Sequence, residues 1–297
     1  MQLRLLRWYR RLGRAGLRWR VVRNPSRTVV SEFMLAQTQV ERVVPKFEAF
    51  LERFPDFRAL AGASRADVVR EWKGLGYNSR AVRLHGLAQA VEANGGILPS
   101  ERKRLRSLPG IGDYTASAIR AFAYNLDDAP VDTNVRRVVH RLTFGLEYPR
   151  AQPPRAVDER ARALVPAGRA HDWGSAMMDL GATICTARMP KCRLCPLRRE
   201  CAAAPVDGES LARLRAAAPK ESRRHIPFER TARYARGRIV DRLRQLAPGE
   251  QISLLDLHRV IGPAIEARGL DEVAAFVTAL ERDGLVTHDG TNVALRE

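Results

Sequence analysis

Outside one seventeen-residue window the chain has no cysteine: Cys185, Cys192, Cys195 and Cys201 are the only four in 297 residues. That excludes a framework of disulfides spread over the fold, because no thiol is left to staple any other region. No stretch approaches the length and apolarity of a membrane span. Residues 1–20, rich in Arg and Leu, lack the continuous apolar core and small-residue cleavage site of an export signal. They read instead as an amphipathic basic helix, and the thiols are expected in a reducing cytoplasm. Acidic charge is scarce, with 33 Asp and Glu against 51 Lys and Arg, for a net charge of +18. Such an imbalance points to a polyanionic partner, with Arg supplying forked contacts to phosphate. From Asn24 to about Ala203 there is also no alternating strand pattern of useful length, so this part is expected to be all-α.

What is present is a series of short amphipathic helices. Asn24-Pro25 reads as a cap and first-turn proline for a helix through Val29, Val30, Phe33, Met34 and Leu35. Further periods run over Val43–Arg53, Arg65–Trp72, Ser79–Asn94, Tyr114–Ala123, Asn134–Leu142 and Val157–Leu164. Residues 204–228, with Pro205, Gly208, Pro219 and Pro227 among charges, read as a linker. The tail 229–297 changes character. Helical stretches at Arg230–Leu246, Ser253–Ile261 and Asp271–Arg282 precede two β-prone runs joined by Asp289-Gly290, a hairpin signal. Three helices and a hairpin predict a small winged-helix-like α+β module.

The four cysteines follow the spacing C-x6-C-x2-C-x5-C. Soft sulfur ligands on a short wrapped segment suit a tetrahedral metal or an iron–sulfur cube. Pro190, Lys191 and Pro196 keep the segment from continuing as helix. Zinc sites more often use two close cysteine pairs, and here there is one. A [4Fe–4S] cluster is therefore expected; zinc and a pair of disulfides are the alternatives.

Three motifs carry chemistry. Leu108-Pro109-Gly110-Ile111-Gly112-Asp113-Tyr114-Thr115 places two glycines at the opening of a helix, where outward amide N–H groups can seat a phosphate. The basic run Arg102-Lys103-Arg104-Leu105-Arg106 before it favours a helix–hairpin–helix grip on DNA. Asp132, in Val131-Asp132-Thr133-Asn134-Val135, stands where a helix begins and reads both as an N-cap and as a carboxylate able to lie beside a nucleotide sugar. Glu32, among Val29, Val30, Phe33, Leu35 and Ala36, is a carboxyl group in apolar company, where its pKa is expected to rise so that it can act as a general acid. Gln37-Thr38-Gln39 and Gly74-Leu75-Gly76-Tyr77-Asn78-Ser79-Arg80 are polar or aromatic patches suited to wedging into a base stack, and read equally as a helix cap and a turn.

Taken together, SEFMLAQTQV, GLGYNSRAVRLH, LPGIGDYT, VDTNVRRV, MMDLGATIC and the four cysteines resemble the helix–hairpin–helix DNA glycosylase superfamily that carries an iron–sulfur cluster, and within it the A/G-specific adenine glycosylase (MutY-type) branch. The resemblance spans roughly Leu6 to Cys201 and implies an all-α, two-lobed glycosylase core over 1–203. A six-helix lobe at about 24–130 would hold the hairpin, and 1–23 with 131–203 would form the cluster lobe. It implies that Glu32 protonates the base and prepares the water, that Asp132 stabilises the cationic sugar, and that Tyr114 and Asn134 orient these groups. It further implies that Gln37 and Tyr77 wedge into the duplex. Thr38, Arg80, Leu108, Gly110, Ile111 and Gly112 join them as DNA contacts, and Cys185, Cys192, Cys195 and Cys201 hold the [4Fe–4S] cluster. Relatives of the endonuclease III type carry a Lys in place of Tyr114 and nick the strand through a Schiff base; a tyrosine implies a monofunctional enzyme. The expected partner is double-stranded DNA with a mismatched or damaged base, met in the cytoplasm at the nucleoid by a monomer, with no membrane involved.

Departures from the branch keep other readings open. Gly174-Ser175 replaces the Asn-Gln or Asn-Glu that frames the extruded base, Leu17-Arg18-Trp19 replaces Leu-Pro-Trp, and the tail does not look like the MutT-like domain of many adenine glycosylases. A mismatch thymine, uracil or hypoxanthine glycosylase is one alternative. A non-catalytic iron–sulfur DNA-binding protein is the other.

Overall fold

The computed structural model describes residues 1–148, 151–218, 226–265 and 268–297. Among them lie sixteen α-helices and three short strands. In chain order the helices are α1 (Gln2–Leu12), α2 (Arg18–Val21), α3 (Pro25–Leu35), α4 (Val40–Arg53), α5 (Phe57–Gly62), α6 (Arg65–Glu71), α7 (Ser79–Ala93) and α8 (Arg102–Arg106). They continue as α9 (Asp113–Ala118), α10 (Thr133–Thr143), α11 (Pro154–Ala163), α12 (Ala170–Thr183), α13 (Gly208–Ala217), α14 (Ala232–Leu243), α15 (Leu254–Ile261) and α16 (Leu270–Arg282). The strands are β1 (Ile252–Ser253), β2 (Val286–His288) and β3 (Asn292–Leu295). No described helix is long and apolar enough to cross a membrane.

The chain divides into two compact units. The first is Met1–Val29, Pro99–Ser107 and Ile111–Ser222; the second is Val30–Leu98, Leu108–Gly110 and Arg223–Glu297. Residues 111–130 belong with the cysteine-bearing unit because a π-helical turn, Ile119–Ala123, follows α9 and packs on α12. There Gly174 abuts the Phe122 ring so closely that a Cβ would lie 2.9 Å from it.

In the first unit one apolar cluster gathers Leu5 and Tyr9 of α1, Val135, Val138, Val139 and Leu142 of α10, and Trp173, Met177 and Leu180 of α12. The amphipathic segment expected over residues 1–20 is broken after α1 at Gly13, where any side chain would collide with the Tyr9 ring. Two arginines beyond the break then find the buried Asp179 of α12. Arg14 donates to it from its backbone N–H at 2.7 Å and from its guanidinium at 2.9 and 2.7 Å, and Arg20 donates at 2.9 Å. Burial alone would raise the Asp179 carboxyl, but Arg20 and Arg14 hold it below the usual carboxylate range. α10 crosses α12 at Gly181, where a Cβ would meet the Asn134 Cβ at 2.8 Å.

In the second unit α7 packs on α5 and α6 over a core that includes Phe47, Phe50, Trp72, Leu84 and Leu87. The C-terminal residues form a module of α14, α15 and α16 with a three-stranded antiparallel sheet in the order β1-β3-β2. The hairpin between β2 and β3 is present as expected: Asp289 accepts from the N–H groups of Thr291 and Asn292, and Gly290 has φ +95°. Sequence patterning did not reveal β1, whose two residues become a strand only by pairing with β3. Residues 204–228 are not a bare linker. Asp207 caps α13 by accepting from Ser210, and Leu211 of α13 is fully buried. Pro219 of the same stretch lies outside the described residues.

Candidate functional site

In the second unit, α3 brings Glu32 next to the buried Val30, Phe33 and Met34. Glu32 itself is half-buried, not enclosed as its apolar neighbours suggested, since a helix can bury one face and leave the next residue at its margin. α3 stops at Leu35, and Gln37 just beyond it is exposed with φ +63°. Tyr77, half-buried in the loop before α7, has φ +45° and stands beside Gly76 at φ +72°. A left-handed backbone is costly for residues with a Cβ and persists only where the surroundings over-determine it.

Arg80 is what over-determines it. Its guanidinium is buried and donates to the carbonyls of Phe33, Met34 and Ala36 at 2.6, 2.9 and 2.6 Å, at the end of α3. It also donates to the Thr38 hydroxyl and to the carbonyls of Leu75 and Gly76, each at 3.0 Å. One side chain therefore ties the Gln37 turn to the Tyr77 loop. Burial brings the Arg80 pKa down to about 10, still charged at neutral pH. Expected on DNA, Arg80 has both of its terminal nitrogens, Nη1 and Nη2, engaged by acceptors of the protein itself. Thr38, also expected on DNA, is drawn into the same pin and donates to Leu75 at 3.1 Å.

In the expected hairpin, Gly110 has φ +75° and is exposed, and a Cβ there would lie 2.9 Å from the Phe33 ring, so only glycine fits. Ile111 is buried as the anchor, Leu108 is half-buried, and Gly112 is exposed at the head of α9. Of the basic run, Arg102 does not face outward as a free cation. It donates to the buried Asp128 at 2.6 Å and to Ser117 at 2.9 Å, which fastens α8 to α9.

In the first unit, Asp132 caps α10, accepting from the Val135 N–H at 2.7 Å and from the Asn134 amide at 3.3 Å. The helix start and the candidate catalytic carboxylate are thus the same group. Asn134 is held in turn by Arg137, which donates to it at 2.9 Å and also to the Gly181 and Cys185 carbonyls at 2.7 and 2.8 Å. Tyr114, on the first turn of α9, is 36% exposed.

The four cysteines are free thiols lining one cavity with Arg141, Ile184, Pro190 and Arg198. Two 3₁₀ turns, Cys192–Leu194 and Arg198–Glu200, curl the chain around it. The exit from Cys201 is fastened to α10 by the N–H groups of Ala202 and Ala203 on the Leu142 and Arg141 carbonyls. Arg141 is buried and makes a forked ion pair with Glu147 at 2.7 and 2.6 Å, while its third nitrogen lies 3.8 Å from the Cys185 sulfur. Burial pushes the Cys195 thiol up to about 11 and raises Cys185 and Cys201 too; a soft cation is what would draw those protons off. Among the described residues no three His, Cys, Asp or Glu side chains converge closely enough to hold one metal ion. Four soft sulfur donors lining one cavity have the chemistry to hold a thiophilic metal or an iron–sulfur centre.

Arg137, Arg141 and Asp179 were not anticipated as site-shaping residues. Their signal was the arginine repeat along α10 and an acid in the apolar run Ala176–Gly181 of α12.

Residues 30–167 match the family described as HhH-GPD superfamily base excision DNA repair protein. An adenine DNA glycosylase of Mycolicibacterium smegmatis is 39% identical over 296 residues, spanning 96% of this chain and 93% of the relative. A thymine-DNA glycosylase of Aeropyrum pernix is 37% identical over 68% of this chain and 92% of its own length. Among solved structures, that of a thermostable thymine-DNA glycosylase superposes with a TM-score of 0.62 at 30% identity, covering 67% of this chain and 92% of that one.

Proposed function

The chain belongs to the HhH-GPD superfamily of base excision DNA repair proteins, and from that premise we propose that it is a monofunctional DNA glycosylase removing adenine mispaired with guanine or 8-oxoguanine in double-stranded DNA. The observation that carries the glycosylase reading is the pair of left-handed residues, Gln37 and Tyr77, held on two turns tied together by Arg80. Strain kept at two such positions is expected where side chains must enter a base stack. The choice of adenine rests on the relative matched along nearly the whole chain.

In this reading Glu32 donates its proton to the departing base and then takes one from the water that attacks the sugar. Asp132, oriented by Val135 and Asn134, offsets the positive charge that develops on the sugar as the glycosidic bond breaks. Tyr114 lacks the amine needed for an imine, so hydrolysis leaves an abasic site in an unbroken strand. Gly110, Ile111 and Gly112, with Leu108, present the hairpin backbone to phosphate. Cys185, Cys192, Cys195 and Cys201 would hold a [4Fe–4S] cluster, which when bound supplies a fixed centre shaping the basic loop of Arg188, Lys191 and Arg193. The order β1-β3-β2 and three helices support a winged-helix reading of the tail. The protein is expected to act as a monomer at the nucleoid.

A panel of duplexes tests the substrate, with strand breaks developed by alkali. Release of adenine opposite G or 8-oxoguanine is expected, with no borohydride-trapped adduct. Likeness to a thymine-DNA glycosylase over two thirds of the chain favours mispaired thymine as the second reading; product from T or U mismatches alone would reject adenine. Glu32→Gln and Asp132→Asn should each lower base release by about a hundredfold or more, with DNA affinity retained.

A further inference from the structure

The loop bearing Tyr77 is gripped by a second guanidinium, and this one comes from the C-terminal module. Arg233 of α14 lies 4.3 Å from the Tyr77 ring centroid and donates a hydrogen bond to the Tyr77 hydroxyl. The Phe228 ring sits 4.9 Å from the same guanidinium, and Phe228 meets Tyr234 edge-on. Arg233 is thus held between two aromatic rings, an arrangement suited to a cation that aims a ring. Just past α14, Arg244 has a side chain only 5% exposed. It donates to the Val69 carbonyl and to the Asn78 side chain, each at 2.9 Å, and is itself fixed by Asp241 at 2.7 Å. Arg244 therefore seats α14 against α6 and the residue after Tyr77. All of these contacts fall within the second unit.

We propose that Arg233 is a positioning residue for lesion reading: through Tyr77, it makes the first helix of the C-terminal module part of the wedge. The proposal rests on the glycosylase reading of Tyr77. The physical need is local. Arg80 pins the carbonyls of Leu75 and Gly76 and so fixes where the loop runs. Its guanidinium lies 5.6 Å from the Tyr77 ring centroid, farther than that of Arg233, and makes no hydrogen bond to the phenol. Arg233 acts at the far end of the ring, on the hydroxyl, and so removes rotamer freedom that would otherwise be lost on meeting DNA.

The test is a double-mutant cycle in the full chain: Arg233→Ala, Tyr77→Ala and the pair, with Arg233→Lys and the exposed Arg238→Ala of the same helix beside them. Single-turnover adenine release and hydrogen exchange of amides 74–80 in the DNA-free protein are the two readouts. Arg233→Ala should slow release about three- to tenfold and speed the exchange, Arg233→Lys should recover most of the rate, and Arg233→Ala should add nothing once Tyr77 is gone. Additive losses, or an equal loss from Arg238→Ala, would make Arg233 a plain phosphate contact and overturn the proposal. If the wild-type chain released no base from any duplex, the glycosylase reading would fail and take the wedge role with it. The exchange readout judges the clamp separately, and unchanged exchange in Arg233→Ala overturns it.

Discussion

Single side chains decide more here than their positions in the motifs suggest. Arg80 sits in a stretch that reads as DNA-facing, yet its guanidinium makes six hydrogen bonds to the ends of two turns. Its removal leaves several buried carbonyls without donors, so Arg80→Ala is expected to cost about 3 kcal/mol or more, read as the urea midpoint. Arg80→Lys should recover little, since an ammonium cannot span both turns. Asp179 makes a pH prediction. Its folded-state pKa lies below the ordinary value because of Arg20 and Arg14. Its stabilising contribution is therefore complete above the unfolded carboxylate pKa of about 3.9 and is lost as pH falls through the lower folded value. Asp179→Asn should destabilise the protein by about 3 kcal/mol at neutral pH, because it leaves buried arginine donors short of a charge. The same variant should lose less further stability than wild type when denaturant midpoints are followed below pH 4. Gln37 and Tyr77 were legible as residue types, but their left-handed backbones were not. A turn's φ depends on what pins it, and the pin is 43 and 3 residues away in the chain.

Elements were legible where local chemistry sets them and obscure where a partner does. α5, capped by Asp56, was not anticipated, whereas Ser64, Asp132 and Thr231 cap expected helices by accepting from a backbone N–H. The Asp289-Gly290 hairpin likewise needs only its own residues. β1 and α13 needed more: β1 exists by pairing with β3, and α13 by burying Leu211. The α10–α12 crossing is the element contact with the clearest consequence for the candidate site. A Cβ at Gly181 would meet the Asn134 Cβ at 2.8 Å and its carbonyl oxygen at 3.1 Å. Gly181→Ala should therefore cost about 1–3 kcal/mol through overpacking. It should also slow base release by shifting Asn134 and the Asp132 cap. Thermal melts and single-turnover rates of this variant check the two effects separately.

For the whole molecule, the cysteine centre and the charge balance set the expectations. Iron and sulfide analysis of aerobically and anaerobically prepared protein should find about four irons per chain; stoichiometric zinc instead would replace the cluster reading with a structural zinc. Chelation, or Cys195→Ser, should lower the melting temperature, because the thiols line a cavity beside the α1–α10–α12 core and not a detached loop. The net charge of +18 predicts DNA affinity that falls steeply with salt. Yet part of that charge is internal: Arg80, Arg102, Arg137 and Arg141 are hydrogen-bonded inside the protein. The salt slope should accordingly report fewer phosphate contacts than a count of arginines.

The sequence alone determined the helical class, the cysteine set and the glycines ahead of α9, while the choice of Glu32 and Asp132 for chemistry came from the family resemblance. The first three follow from residue type, period and spacing, which are properties of a short stretch of chain. Tertiary structure alone decided how the arginines are used, which of them face carbonyls and which face rings, and that α14 reaches the Tyr77 loop. A guanidinium carries the same charge wherever it stands. What it does depends on the acceptors the fold brings within about 3 Å of it, and those come from residues far away in the chain.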